Sequence, residues 1–301
     1  MTAGIHGVTH TAPAFDVPAG ACDSHVHVFG PYDRFPLAPG RKYTPGTASV
    51  EELLALQRAL RLTRVVVVQA SPQGTDNACL VDALQRLPAG GSQARGVAVI
   101  GDATTDAELA AMHRAGVRGV RLNLATLGQH DPAVARRLLE AAAKRVAPLG
   151  WHVQTYTTPA MIAALAGAIR ALPVPLVVDH FGHPEAARGP GQPGFDALVA
   201  LLREGKAWVK LSAGYRISQL ADWDDAAPLA RALLDANPDA CVWGTDWPHP
   251  GGGQGPRAPE ELEPFFPIDD GRALNRLRAW AGDPARLRKV LVDNPARLYG
   301  F

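Results

Sequence analysis

Residues 22–29 read Cys-Asp-Ser-His-Val-His-Val-Phe. The β-branched and aromatic residues predict a strand, whose successive side chains point to opposite faces. His25 and His27 therefore share one face, about 6–7 Å apart along the strand. On a barrel strand that face is either the interior or the helix layer. Two imidazoles against apolar helices would be costly, so the interior mouth is the expected place.

Seven further β-rich runs follow, at residues 64–70, 96–100, 116–122, 152–156, 176–180, 207–212 and 241–245. Amphipathic stretches lie between them at 49–60, 77–87, 106–115, 132–147, 159–172, 195–204 and 226–236. Apolar spacing of three and four residues predicts helices there, and end signals agree. Asp131-Pro132 and Thr158-Pro159 read as N-caps followed by Pro, while Gly116 and Gly150 stand where helices stop. Parallel neighbours need crossovers, so strands alternating with helices argue for a parallel sheet, and eight strands close a barrel. A doubly wound open sheet would ordinarily carry a Gly-rich loop after its first strand, where this chain has His-Val-His. The expected fold class is α/β, a (β/α)8 barrel in one domain over residues 21–301, with residues 1–20 as an N-terminal extension.

Composition excludes several classes. Thirty basic residues against 29 acidic ones leave a formal charge of +1, so nothing global points to nucleic acid or an anionic membrane. The 30 Gly and 26 Pro are about 19% of the chain, below the roughly 25–30% that marks low-complexity disorder. Many fall in three loops, 30–45, 182–194 and 248–259, each leaving the carboxyl end of a strand, where barrel active sites sit. Such loops are expected to cover substrate. Cys22, Cys79 and Cys241 are odd in number and far apart, which fits buried thiols in a reducing compartment rather than disulfides or a metal knuckle. Residues 1–20 show no secretory signal, and no apolar run reaches about 18 residues. A cytoplasmic protein with no membrane span is expected, and a homodimer on base rates alone.

The residues with chemistry sit at strand ends. His180 closes strand six and Asp246 closes strand eight, flanked by Trp243 and Trp247. Burial raises a carboxyl's pKa and neighbouring cations lower it, which suits a group that handles protons. Asp179 should face away from His180 and be structural, and His183 and His249 lie in loops just beyond. Arg118 and Arg121, three apart, fall on opposite faces; Arg121 is nearer the mouth and Arg118 nearer the helix layer. Arg216 follows strand seven. A guanidinium offers a two-pronged grip on a carboxylate. Tyr43, Tyr156 and Ser71 are further substrate-contact candidates.

His-x-His on strand one, His after strand six and Asp after strand eight resemble the amidohydrolase superfamily, as does the closing Asp-Asn-Pro-Ala-Arg-Leu-Tyr-Gly-Phe. Residues 23–27, 116–122, 178–184 and 244–248 are similar in wording to its 2-pyrone-4,6-dicarboxylate lactonase branch. The resemblance implies a distorted TIM barrel that hydrolyses a lactone of a small carboxylated molecule. It also implies that His25, His27, His180 and Asp246 are catalytic, and that they are the ligands of any bound metal. The branch includes members that work without metal and relatives that use one. Either no cofactor is required, or one divalent ion, zinc or manganese. Strand five (residues 151–156) ends without a Lys, which speaks against a metal pair bridged by a modified lysine. No Gly-x-Ser-x-Gly turn is present, so an acyl-enzyme is disfavoured.

The expected mechanism has Asp246 take a proton from water, with the three imidazoles stabilising the oxyanion directly or through a metal. One departure matters. The dicarboxylate lactonase is expected to carry a further basic group after strand four, where residues 123–130 here hold no Arg or Lys. A monocarboxylate, a sugar lactone or a sulfonated muconolactone suits the chain about as well. Competing readings are a metal-dependent decarboxylase of an aromatic or muconate-type acid, a Schiff-base aldolase using Lys210, and a barrel that binds without turnover.

Overall fold

The computed structural model describes residues 5–253 and 257–301; residues 1–4, and residues 254–256 of the loop 248–259, lie outside the described residues. Strand β1 (Cys22–Val26) pairs parallel with β2 (Arg64–Val68), and the ladder runs on without a break in order. It continues through β3 (Gln93–Ala98), β4 (Val117–Asn123), β5 (His152–Tyr156), β6 (Leu176–Val178), β7 (Ala207–Ser212) and β8 (Cys241–Gly244). Each strand is followed by at least one helix, beginning with α1 (Val50–Leu60), α2 (Ala78–Arg86), α3 (Asp106–Ala115) and α4 (Pro132–Val146). Then come α5 (Pro159–Ala171), α6 (Phe195–Arg203), α7 (Ala227–Ala236) and α8 (Asp270–Ala281). The single-domain parallel barrel is as expected. No described helix is long and apolar enough to cross a membrane.

The caps follow from local chemistry. Asp131 accepts from the Ala133 and Val134 N–H groups, Thr158 from Met161, and Gly116 and Gly150 take positive φ at helix ends. Side-chain acceptors and left-handed glycines satisfy backbone groups that a helix leaves open at its ends.

The barrel shuts at the β1/β8 seam through few bonds. The His27 N–H donates to the Trp247 carbonyl and the Asp246 N–H to the His25 carbonyl, both at 2.8 Å. Deeper in, the Asp23 carboxylate accepts from the Thr245 N–H at 2.9 Å and its hydroxyl at 2.7 Å. Gly244 is required here, because a Cβ on it would stand 2.6 Å from the His25 nitrogen. Against β2, β1 spends three residue steps (Asp23 to Val26) where its partner spends two (Val65 to Val67). That extra residue is a bulge, a device that re-aims side chains next to sites.

Strands β1, β2, β3, β6 and β8 are shorter at their carboxyl ends than the sequence predicts, and β3 also starts earlier. The C-terminal tail adds α8, α9 (Pro284–Arg288), a π turn and α10 (Asn294–Tyr299), none of them among the seven predicted helices. The tail plugs the barrel floor: Tyr299 packs with Cys22, Val66, Val68 and Val97. The Asn294 amide donates to the Pro238 and Cys241 carbonyls at 2.8 and 2.7 Å.

Above the plug, Gly119 on β4 makes room for the His152 ring on β5; an added Cβ would stand 2.4 Å from it. Overpacking of this kind costs about 1–3 kcal/mol. Gly119→Ala should lose about that much in chemical denaturation, and an unchanged midpoint would refute the packing argument. Burial, helped by Lys210, pushes the His152 pKa down to about 3. The unfolded chain then binds a proton that the folded chain refuses, so stability falls as pH drops below about 6.5 toward 3. His152→Met should make that acid loss shallower; identical slopes would refute it.

Candidate active site

Three strands, β1, β6 and β8, deliver the predicted cluster to one point at the carboxyl end of the barrel. The Nε2 atoms of His25, His27 and His180 lie 3.5, 3.4 and 3.7 Å from Asp246 Oδ1. All four side chains are buried. His25 and His27 share the interior face, as their spacing predicts.

His180 arrives differently. β6 ends at Val178, and His180, Phe181 and His183 all adopt left-handed backbone, with φ of 50°, 60° and 57°. Asp246 does the same at φ 70°. Left-handed backbone costs non-glycine residues roughly 1–2 kcal/mol each, and such strain gathers at functional sites. This turn corrects the reading of Asp179. Alternation carries Asp179 inward and the turn folds His180 back inward as well, so both face the interior and Asp179 is part of the charged centre.

Tautomers follow from the partners. His27 Nδ1 is 2.7 Å from the Val68 carbonyl, which only accepts, so Nδ1 carries a proton, and its Nε2 faces Asp246. His180 Nδ1 meets the Ser212 hydroxyl at 2.8 Å. Burial pushes His180 down to about 3, with Asp246 opposing, and burial with the Lys210 charge holds His25 well below its usual range.

The second Asp246 oxygen is fully engaged. Oδ2 accepts from the Tyr215 hydroxyl at 2.6 Å and from Arg216 Nε at 2.8 Å, and Arg216 Nη2 donates to the Pro250 carbonyl at 2.6 Å. Burial pushes the Asp246 pKa up, but Arg216 and the surrounding imidazoles more than reverse it, leaving the carboxyl well below its ordinary range. Burial holds the Tyr215 hydroxyl well above its own, so it stays a donor.

Beneath the imidazoles, Asp179 Oδ2 accepts from Arg121 Nε at 3.0 Å. Its Oδ1 lies 3.3 Å from His25 Nδ1 and 3.8 Å from Lys210 Nζ. Burial opposes the Asp179 charge, and His25, Arg121 and Lys210 outweigh it. Lys210 is fully buried, donates to the Ser24 carbonyl at 2.8 Å, and is pulled down to about 8 chiefly by burial. It sits over the Tyr299 ring, on the floor side of His25, rather than open to the mouth.

The substrate-contact candidates surround this centre. Arg121 is buried and its Nε is spent on Asp179, with its guanidinium 5.8 Å from the centre of the Tyr156 ring. Tyr156 meets His180 and His183 edge-on at 5.3 and 5.2 Å. Tyr43, from the first loop, is buried, which pushes its hydroxyl up to about 12 against the influence of Ser71, Arg216 and Arg121. His249 stays outside the cluster: it packs edge-on against Tyr215 and bonds Asp270 at 3.1 Å. Arg118 donates to the His113 and Val117 carbonyls, away from the site.

Sequence reasoning missed Tyr215, Ser212 and the inward role of Asp179. Ser212 was accessible through alternation with Lys210. Tyr215 was not, because the turn Gly214–Arg216 aims two consecutive side chains at one carboxylate.

His25, His180 and Asp246 each offer a ligand atom within 4.8 Å of the others, and the two imidazole Nε2 atoms stand 3.5 and 3.7 Å from Asp246 Oδ1, near the edge of about 3.4 Å in a tetrahedral zinc site. His25 Nε2 and Asp246 Oδ1 are buried without hydrogen-bond partners among the described residues. This donor set fits a divalent cation. A surface cleft of about 790 Å³ between α2 and α3 lies on the outer wall and contains none of these groups.

The amidohydrolase family model matches residues 22–301. The chain is 40% identical over 298 residues to a 2-pyrone-4,6-dicarboxylate hydrolase of Comamonas testosteroni, covering 95% of this chain and 92% of that protein. It is 36% identical to a 4-sulfomuconolactone hydrolase of Hydrogenophaga intermedia, covering 95% and 90%. A solved structure from Pseudomonas putida, described as a candidate 2-pyrone-4,6-dicarboxylic acid hydrolase, superposes with a TM-score of 0.76. It is 35% identical, with 94% of this chain and 98% of that chain covered.

Removing one member of a buried ion pair costs about 3–5 kcal/mol, because the partner charge is stranded. Asp179→Asn strands Arg121 and Lys210, so it should lose stability on that scale in denaturant unfolding. A loss below about 1 kcal/mol would show that Asp179 does not neutralise them.

Proposed function

The chain belongs to the amidohydrolase family, and from that premise we propose that it is a hydrolase opening the ester ring of a small anionic lactone. One observation carries the reading: one Asp246 oxygen faces three imidazoles while the other is held by Tyr215 and Arg216. The names of the similar hydrolases from Comamonas and Hydrogenophaga support the same bond type.

In the proposed reaction Asp246 Oδ1 takes a proton from a water held among the imidazoles. The hydroxide forms a bond to the lactone carbonyl carbon, whose π electrons move onto oxygen. His25, His27 and His180 line the space where that charge develops, and oriented donors stabilise it. Collapse breaks the ring C–O bond, and Asp246 returns its proton to the departing ring oxygen.

In the resting site Arg216 makes Asp246 a weak base. A substrate carboxylate beside Arg216 competes for that charge and raises the basicity of Asp246 as the substrate arrives. Tyr43, Tyr156, Ser71 and Arg121 complete the substrate contacts. The absence of Arg or Lys in residues 123–130 favours a lactone with one acidic group near Arg216 over strict dicarboxylate recognition.

A divalent zinc or manganese ion, held by His25, His180 and Asp246 with His27 alongside, would supply Lewis acidity and a lower water pKa. The three free, buried thiols suit a reducing compartment, and we place the enzyme in the cytoplasm.

The test is a panel of carboxylated and sulfonated lactones assayed with and without chelator. Ring opening is expected, with Asp246→Asn slower by about 10³-fold, the middle of the usual range for a positioned general base. Turnover unchanged in Asp246→Asn would overturn the mechanism. Release of carbon dioxide in place of a ring-opened acid would replace it with a decarboxylase.

A further inference from the structure

Lys210 lies in direct contact with the cluster, and the hydrolytic cycle above gives it no task. Its ammonium can only donate. One N–H goes to the Ser24 carbonyl at 2.8 Å, and Asp179 Oδ1 is 3.8 Å away. The remaining partner is His25 Nδ1, at 3.3 Å and with hydrogen-bond geometry. Asp179 Oδ1 lies equally near Nδ1, yet it accepts no hydrogen bond among the described residues. A ring nitrogen that accepts from an ammonium carries a lone pair, so the His25 proton belongs on Nε2. Nε2 lies 3.5 Å from Asp246 Oδ1, with no hydrogen bond between them among the described residues. His27 is the opposite case, because the Val68 carbonyl holds its proton on Nδ1.

We propose that Lys210 is a positioning residue that fixes His25 in the Nε2–H tautomer, so that the site presents a hydrogen-bond donor where a metal would need a lone pair. Two consequences follow. His25 becomes the imidazole that donates to the developing oxyanion, whereas His27, held in the other tautomer, accepts. The site also binds divalent cations more weakly than its four ligand-type residues suggest, because one must change tautomer against a buried ammonium. Both consequences rest on the hydrolase reading of the site; the tautomer itself does not.

The test is the histidine two-bond ¹H–¹⁵N spectrum of the chelator-treated protein at neutral pH, with signals assigned by His25→Gln and His27→Gln. His25 is expected to show the Nε2–H pattern and His27 the Nδ1–H pattern. Lys210→Met should move His25 to Nδ1–H, facing Asp179, and tighten zinc binding by tenfold or more in titration. Lys210→Gln, which can still donate, should keep the native tautomer. An Nδ1–H pattern for His25 in the unsubstituted protein overturns the proposal. So does a Lys210→Met protein with unchanged tautomer, or one with unchanged zinc affinity. The first arm needs no substitution at Lys210, so the tautomer is decided even where a variant fails to fold. An inactive protein with Nε2–H His25 would count against the hydrolase reading alone.

Discussion

A carboxylate buried as completely as Asp246 is tolerable only if its surroundings replace the water it has lost. Nearly every feature of the barrel mouth answers that requirement. Two donors from the turn after β7 hold Oδ2, and imidazoles from β1 and from the turn after β6 approach Oδ1. The backbone N–H of Asp246 also makes one of the two backbone-to-backbone bonds that close the seam between first and last strands among the described residues. Closing the barrel and building its polar centre are therefore one event. A chain that failed to bring β8 to β1 would leave this charge without its partners.

A second layer balances the first. Asp179 and Asp246 face Arg121, Lys210 and Arg216, so the interior carries one more cation than these two carboxylates neutralise. Asp23 at the seam, pushed up to about 7 by burial, is only partly ionised at neutral pH and offsets only part of the difference. A desolvated excess of positive charge is unfavourable until an anion arrives. This is the local charge that a whole-chain value of +1 conceals. It also means that a divalent cation would enter a centre already short of negative charge.

Much of this was legible in the sequence because strands alternate. The spacing of His25 and His27 gave their common face, and eight alternating units gave the closed sheet. Legibility stops where the backbone leaves regular geometry. Alternation sends Asp179 away from His180, but left-handed φ at His180 turns the ring back, and both end inside. Tyr215 and Arg216 are adjacent in sequence and so should diverge, yet a single helical turn points both at Asp246. Arg121 was expected at the mouth and is instead half committed to Asp179, a partner that alternation had placed on the wrong face. These departures share one cause: the site is assembled from residues at and just beyond strand ends, where periodicity no longer predicts direction.

The support for Asp246 also extends outward, away from any substrate. Behind Tyr215 stands the edge of His249, held by Asp270 at 3.1 Å, and the Asp270 N–H donates to His10 Nδ1 at 3.1 Å. The chain from the carboxylate to the N-terminal segment thus passes through the first turn of α8. Thr11 ties the same segment to Asp269, the N-cap of that helix, through its N–H at 2.8 Å. His10 and Thr11, ahead of β1, are therefore tied to the barrel. They fix the start of α8, which fixes His249, which backs the tyrosine that holds one oxygen of Asp246. The orientation of the carboxylate is set from both sides, by imidazoles within the mouth and by a segment that lies wholly outside the β-sheet.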